Sequence, residues 1–173
     1  KVPVLNNPAN DSSDFAAALE RLGFDVQIVS DQSYSDMRNG LRDFRSRVAG
    51  ADIAVVYYAG HGIEVDKQNY LIPTDATLAS DGDVDYEAIP LDLVLRSVDS
   101  AKLLRLVIVD ACRNNPFATN MKRAGASRSI GRGLARVEPS GNTLVAFAAK
   151  EGTTAADGEG RNSPFATALL QHI

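Results

Sequence analysis

Apolar residues recur along this chain at two spacings that alternate with one another. After Asp11 or Ser12, either of which suits a helix N-cap, Phe15, Ala18, Leu19 and Leu22 follow at helical intervals until Gly23. Phe24 to Val29 then alternates apolar with polar, which predicts a short strand with one buried face. Ser33 and Asp36 form a capping-box pattern, with Asp in place of the usual Glu, ahead of Met37, Leu41, Phe44 and Val48. That spacing predicts an amphipathic helix ending at Gly50, its other face, with Arg38, Arg42, Asp43, Arg45 and Arg47, turned to solvent. Asp52–Tyr58 and Leu106–Val109 break the pattern. Both are continuous runs rich in β-branched residues, as in strands covered by helices on both faces of a parallel sheet.

Shorter signals fill the gaps. Ala59-Gly60-His61-Gly62 reads as a turn after the first buried strand, its glycines allowing close approach to the backbone. Ile63–Val65 and Asn69–Ile72, joined through Asp66-Lys67-Gln68, form a hairpin pattern closed by Pro73. A polar, acidic loop from Thr74 to Glu87 leads to a helix marked by Leu91, Val94, Leu95 and Val98. Between Arg113 and Val137, Gly, Ala and Ser surround Lys122, Arg123, Arg128, Arg132 and Arg136 with no acidic residue among them. Too few apolar groups remain to order such a stretch, so a long exposed loop is expected. Thr143–Phe147 restores a strand, and Ser163-Pro164 opens a last helix through Phe165, Leu169 and Leu170. Strands alternating with helices predict an α/β domain, with no internal repeat and no interdomain linker.

Composition narrows the function classes. A formal charge of −4 gives no reason to expect nucleic acid or an anionic membrane as partner, and no apolar run is long enough to span a bilayer. The basic stretch lacks the interleaved aromatics of a nucleic-acid surface. One cysteine excludes an internal disulfide and fits a reducing compartment, hence an expected cytoplasmic location. Two histidines and one cysteine supply no zinc-ligand spacing. Neither end looks natural: Lys1 lacks an initiator methionine, and Ile173 falls inside a helical pattern, so truncation at both ends is expected.

The candidate chemistry lies in LVIVDACRNNPF, residues 106–117, where Cys112 follows a buried strand almost at once. A lone cysteine can be simply a small core hydrophobe. Polar and charged neighbours at the end of a parallel strand, where open α/β sheets place ligands, favour a reactive thiol instead. A thiol is a useful nucleophile as its thiolate, and an imidazole beside it lowers its pKa. His61, at the end of the other buried strand, suits that role; His172, inside the last helix, does not. An oxyanion formed at an attacked amide would need donors, for which the backbone N–H groups of Gly62 and Cys112 are the candidates. Gly62 can equally be a turn residue alone.

Together, YYAGHG at 57–62 and DACRNNPF at 110–117 resemble the caspase-like cysteine peptidases, most closely their bacterial metacaspase or orthocaspase branch. His61 and Cys112 lie 51 residues apart, matching the family's spacing of about 50. NNPAND, NYLIPTDA and DGEGRNSPFATALL extend the resemblance to nearly the whole chain. It implies a three-layer sandwich with a mainly parallel central sheet flanked by helices, and a Cys112–His61 dyad hydrolysing peptide bonds. It also implies a large-subunit-like part (1–120), a basic loop (121–140) and the start of a small-subunit-like part (141–173).

Animal caspases carry glutamine where this chain has Asp110, and they cut after aspartate. A carboxylate two residues from the nucleophile should instead attract a cationic P1 side chain, as in metacaspases. There a second aspartate from an Asn-Asp motif joins it. Asn10-Asp11 matches, so Asp11 is the second candidate for the S1 pocket, with helix capping as its competing role. Where many metacaspases read SGHG, Ala59 stands before Gly60, and no hydroxyl is available from that position.

The expected substrate is a protein or peptide with P1 Arg, and Lys as second choice. Lys122, Arg123, Arg128, Arg132 and Arg136 thereby become candidate self-cleavage sites, against the plainer reading of a soluble linker. Asp81, Asp83 and Asp85 begin like an EF-hand, but Tyr86 replaces its glycine and Asp92 its final glutamate. No metal or cofactor is therefore assigned, and calcium dependence stays a question for experiment. The alternatives are a catalytically silent caspase-like module used for binding or scaffolding, and an acyl-transferring enzyme with the same dyad.

Overall fold

Along residues 106–109 the side chains alternate between two cores, Val107 and Val109 on one side, Leu106 and Ile108 on the other. The computed structural model describes residues 4–112, 121, 129, 134–139, 141–148 and 160–173. In chain order its elements are α1 (Pro8–Arg21), α2 (Tyr34–Val48), β1 (Ile53–Val65), β2 (Gln68–Leu71), α3 (Val84–Glu87), β3 (Ile89–Pro90), α4 (Leu91–Val98), β4 (Leu104–Cys112), β5 (Thr143–Phe147) and α5 (Pro164–Leu170). They build a mixed five-stranded sheet in the order β3-β2-β1-β4-β5. Strands β1, β4 and β5 are parallel, and the hairpin β1–β2 with β3 adds the antiparallel edge.

Helices cover both faces, giving the three layers expected. Val48 of α2 and Leu91, Val94 and Val98 of α4 pack on one face with Ala54, Val107 and Val109. On the other, Phe15 and Leu19 of α1 meet Ile108, with Phe165 and Leu169 of α5 beside them. A third cluster under the hairpin joins Ile63, Val65, Tyr70 and Ile72 to Leu78, Val84 and Met121. Each aliphatic side chain so enclosed contributes roughly 1.5–3 kcal/mol, which makes the faces of the central strands hard to exchange. Among the described residues no helix is long and apolar enough to cross a membrane.

Four local expectations need correction. Helix α1 begins at Pro8 with Asn7 as N-cap, so Asp11 lies within the helix and is not its cap. Phe24–Val29 forms no strand: Phe24 and Val26 pack on the α1-side core, but Ile28 and Val29 are exposed. Alternation there reflects one-sided burial, and no described strand lies alongside to pair with it. Residues 59–62 are not a turn. β1 runs through them and changes partner, pairing with β4 up to His61 and with β2 from Gly62 onward.

The described residues of the basic stretch are also not all exposed, while the rest of 113–137 lies outside the described residues. Met121 and Leu134 are buried, and two side chains of the hairpin grip its backbone. Asp66 donates its N–H to the Ser129 carbonyl and accepts the Ser129 N–H on Oδ1, both at 2.9 Å. Asn69 does the same for Ala135, donating Nδ2–H to its carbonyl (2.8 Å) and accepting its N–H (2.6 Å). At Met121, Ser129, Leu134 and Ala135, the stretch is thus tied to the rest of the fold.

Candidate active site

The parallel register of β1 and β4 is Tyr57 on Ile108, Tyr58 on Val109, Ala59 on Asp110, Gly60 on Ala111 and His61 on Cys112. His61 and Cys112 thus stand directly opposite one another, on strands about 4.8 Å apart, although 51 residues separate them in sequence. Side chains alternate along a strand, so positions 57 and 61 share one face, as do 108 and 110. That face is the α1–α5 side, since Tyr57 and Ile108 pack there.

The backbone around His61 is held from several directions. Its carbonyl accepts the Tyr58 hydroxyl at 2.8 Å and the Ile72 N–H at 3.0 Å. Burial pushes the Tyr58 phenol well above its ordinary value, so it remains a donor. The Tyr58 ring reaches the His61 carbonyl by passing under Gly60, where a Cβ would lie 2.6 Å from its Oη. Gly60 is therefore a matter of space, not of backbone freedom. At Gly62 a Cβ would sit 3.2 Å from both Ala111 Cβ and Leu134 Cδ2. Because His61–Ile72 is a hydrogen-bonded pair of the antiparallel ladder, Gly62–Leu71 is the next, non-bonded one. The Gly62 N–H consequently turns away from β2, toward the β4 side.

A second cluster lies beside this pair on the same face. Asp110 (7% exposed) and Asp11 (1%) are both buried, one at the end of β4 and the other on α1. They converge on one residue. Ser163 donates its N–H to Asp11 Oδ1 at 3.0 Å and its hydroxyl to Asp110 Oδ2 at 2.5 Å. The Tyr57 hydroxyl donates to the same Asp110 oxygen at 3.2 Å. Burial, then the charges of Asp110 and Asp11, hold the Tyr57 phenol far above its usual value, so it stays protonated across the physiological range. Its ring is fixed against Phe15 of α1, with centroids 4.7 Å apart. The Ser163 and Tyr57 donors are neutral groups that orient the two carboxyls.

The structure thus brings Asp11 and Asp110 to one cluster, and His61 and Cys112 to one register position. Sequence reasoning missed Tyr57 and the bridging role of Ser163. The Ser163-Pro164 pair was legible as a helix start, and Ser163 does cap α5 by accepting the Ala166 N–H at 2.9 Å. Nothing local signalled that the same residue also meets two aspartates from distant parts of the chain.

Of the candidate cleavage positions, Arg136 is exposed and lies 3.6 Å from Glu138. Lys122, Arg123, Arg128 and Arg132 lie outside the described residues. The acidic run is spent on structure. Asp83 accepts the Ser80 N–H, Asp85 the Tyr70 hydroxyl, and Glu87 the N–H groups of Thr77 and Leu78. Among the described residues no three His, Cys, Asp or Glu side chains gather as a metal site. An open cavity of about 450 Å³ between α2 and α4, lined by Arg38, Arg42, Arg45 and Arg96, shares no residue with the site.

Comparison with known proteins bears on the family and the fold. The family described as the caspase domain matches residues 1–173. Mucosa-associated lymphoid tissue lymphoma translocation protein 1 of Homo sapiens is 31% identical over 74 residues, 43% of this chain and 9% of that protein. This chain therefore corresponds to a small part of that relative's length. Caspase-1 from Spodoptera frugiperda superposes with a TM-score of 0.62 over 96% of this chain and 60% of that one, at 16% identity. A likeness at that identity speaks for the fold.

Proposed function

The chain belongs to the caspase domain family, and from that premise we propose that it is a cysteine endopeptidase cutting after basic residues. Cys112 is the nucleophile in this reading. His61 takes the thiol proton as general base and later returns it to the leaving amine as general acid. Water then hydrolyses the acyl-enzyme, with His61 as base again. The N–H groups of Gly62 and Cys112 receive the developing oxyanion, each worth on the order of 3 kcal/mol in the transition state. The fixed His61 carbonyl and the direction of the Gly62 N–H both favour such an arrangement.

Selectivity comes from Asp110 with Asp11. The observation that carries this reading is their convergence on Ser163, with Asp110 two residues along β4 from the ladder pair His61–Cys112. Two carboxylates sharing a buried cluster repel one another, and a guanidinium placed between them relieves that repulsion while making bidentate hydrogen bonds. An aspartate at P1 would add a third negative charge. The substrate is then a protein or peptide with P1 Arg, or more weakly Lys, whose ammonium cannot fork. On these residues the chain resembles the metacaspase or orthocaspase branch, and a cytoplasmic setting suits an enzyme that depends on a reduced thiol.

Fluorogenic peptides with Arg, Lys, Asp or Leu at P1 test this, with and without calcium. Arg should be cut fastest, and Cys112→Ala and His61→Ala should each lose at least about 1,000-fold in kcat/KM. Preferred turnover of the Asp peptide would refute the selectivity. No turnover of any peptide would favour a silent binding module.

A further inference from the structure

Ser163 can hold both aspartates only if its own backbone is held, and α1 holds it. Asn10, Asp11 and Asp14, on one side of α1, grip three consecutive residues that precede α5. Asp14 accepts Arg161 through both carboxylate oxygens, Nε at 3.0 Å on Oδ2 and Nη2 at 2.9 Å on Oδ1. The Asn162 amide donates to Asp14 Oδ2 at 3.0 Å, and Asn10 donates its own amide to the Arg161 carbonyl at 3.0 Å. Ser163 then meets Asp11 with its N–H, and its hydroxyl continues to Asp110. A forked ion pair on the outside is thus joined, residue by residue, to the buried carboxylates.

We propose that the Asp14–Arg161 fork is a positioning element for the acidic pocket, setting P1 selectivity through Ser163 without touching substrate. The inference rests on the reading of Asp11 and Asp110 as that pocket. Arg161 is 65% exposed and Asp14 29%, so the pair is too accessible to be explained as filling a core. An exposed ion pair by itself contributes little to stability. Its bidentate form does fix direction, and direction is what two repelling carboxylates and one shared hydrogen-bond donor require. If the segment 161–163 shifts, the N–H of Ser163 leaves Asp11 while its hydroxyl can still follow Asp110. The two carboxylates then lose their fixed spacing, and a P1 guanidinium finds only one of them in place.

The test compares P1 Arg with P1 Leu peptides across variants, alongside thermal melting. Arg161→Ala should raise KM for the Arg peptide about ten-fold with kcat changed far less, and leave the Leu peptide unaffected. Arg161→Lys, a charge without a fork, should recover only part of the loss. Asp14→Asn, which keeps an acceptor and is gentler on folding, should shift KM in the same direction. Ser163→Thr, with amide and hydroxyl retained, should keep the Arg preference, and Ser163→Ala should weaken it. A wild type without preference for Arg would overturn the pocket reading and this inference together. A selective wild type whose Arg161→Ala and Asp14→Asn variants are equally selective would overturn the fork's role alone, even if they melt lower.

Discussion

A methyl group at position 60 has nowhere to go. It would meet Tyr58 Oη at 2.6 Å and Cζ at 2.8 Å, and the ring cannot retreat because its hydroxyl is tied to the His61 carbonyl. Gly60→Ala should therefore destabilise the protein by about 1–3 kcal/mol, the usual result of overpacking, measurable by denaturant unfolding. Activity should fall further than stability explains, since relief of the clash breaks the bond that fixes His61. Equal loss of both would argue that Tyr58 only packs. At this scale the sequence was partly legible. The pairing of His61 with Cys112 is an expectation from spacing and motif, and the backbone register sets the two positions opposite one another. The reason for Gly60 did not, because glycine before histidine looks alike whether it makes a turn or clears a path for a ring. Asp11 posed the same difficulty: a cap and a buried carboxylate share one residue type, and only the start of α1 at Pro8 separates them.

Among the elements, the β1–β2 hairpin does more than edge the sheet. Its turn residues Asp66 and Lys67 both take left-handed backbone conformations, with φ of 51° and 65°, an arrangement that costs free energy for residues other than glycine. The Asp66 clamp on Ser129 and the Asn69 clamp on Ala135 offset it. Under the proposed activity, cleavage within the basic stretch would leave the new end held at Ala135, next to exposed Arg136. Intact-mass analysis of the incubated wild type should show two fragments that co-elute natively, while Cys112→Ala shows one mass. A single unchanged mass in both would exclude self-processing. Asn69→Ala should not abolish the cut but should weaken retention of the fragments. Here the sequence was legible in the buried runs, whose both-sided apolar character has one solution, a parallel strand between helices. It was illegible in Phe24–Val29 and in the basic stretch. Alternation reports which side is buried, not whether a neighbour strand exists. A composition poor in apolar residues conceals that Met121 and Leu134 are buried and that the hairpin bonds Ser129 and Ala135.

At the scale of the molecule, the first helix is joined to the segment leading into α5 by the Asp14–Arg161 fork. The hydrogen bonds from Arg161 and then Asn162 hold the Asp14 carboxyl below its ordinary value of 3.8. A carboxyl lowered in the folded state stabilises the fold at pH above its unfolded value, and that contribution is lost as pH falls through the lowered one. Asp14→Asn should accordingly melt roughly 1–4 °C below wild type near neutral pH, a modest amount because the pair is exposed. The gap should close as pH falls below the ordinary carboxyl range and through the lowered value, where Asp14 becomes uncharged. A gap that persists at low pH would show that shape, not charge, is responsible.

The parallel register of β1 on β4 has a consequence in time. Its partners are 51 residues apart, and the pocket asks for contacts between residues 11 and 163, almost the full length of the chain. Contacts so distant in sequence form slowly, since each must close a long loop before it is rewarded. A chain emerging from the ribosome can align histidine with cysteine before its last helix exists, but it cannot yet assemble the paired carboxylates. Under the proposed activity, discrimination between substrates would thus be acquired after histidine and cysteine are aligned, and a copy made only that far would be a thiol without a preference.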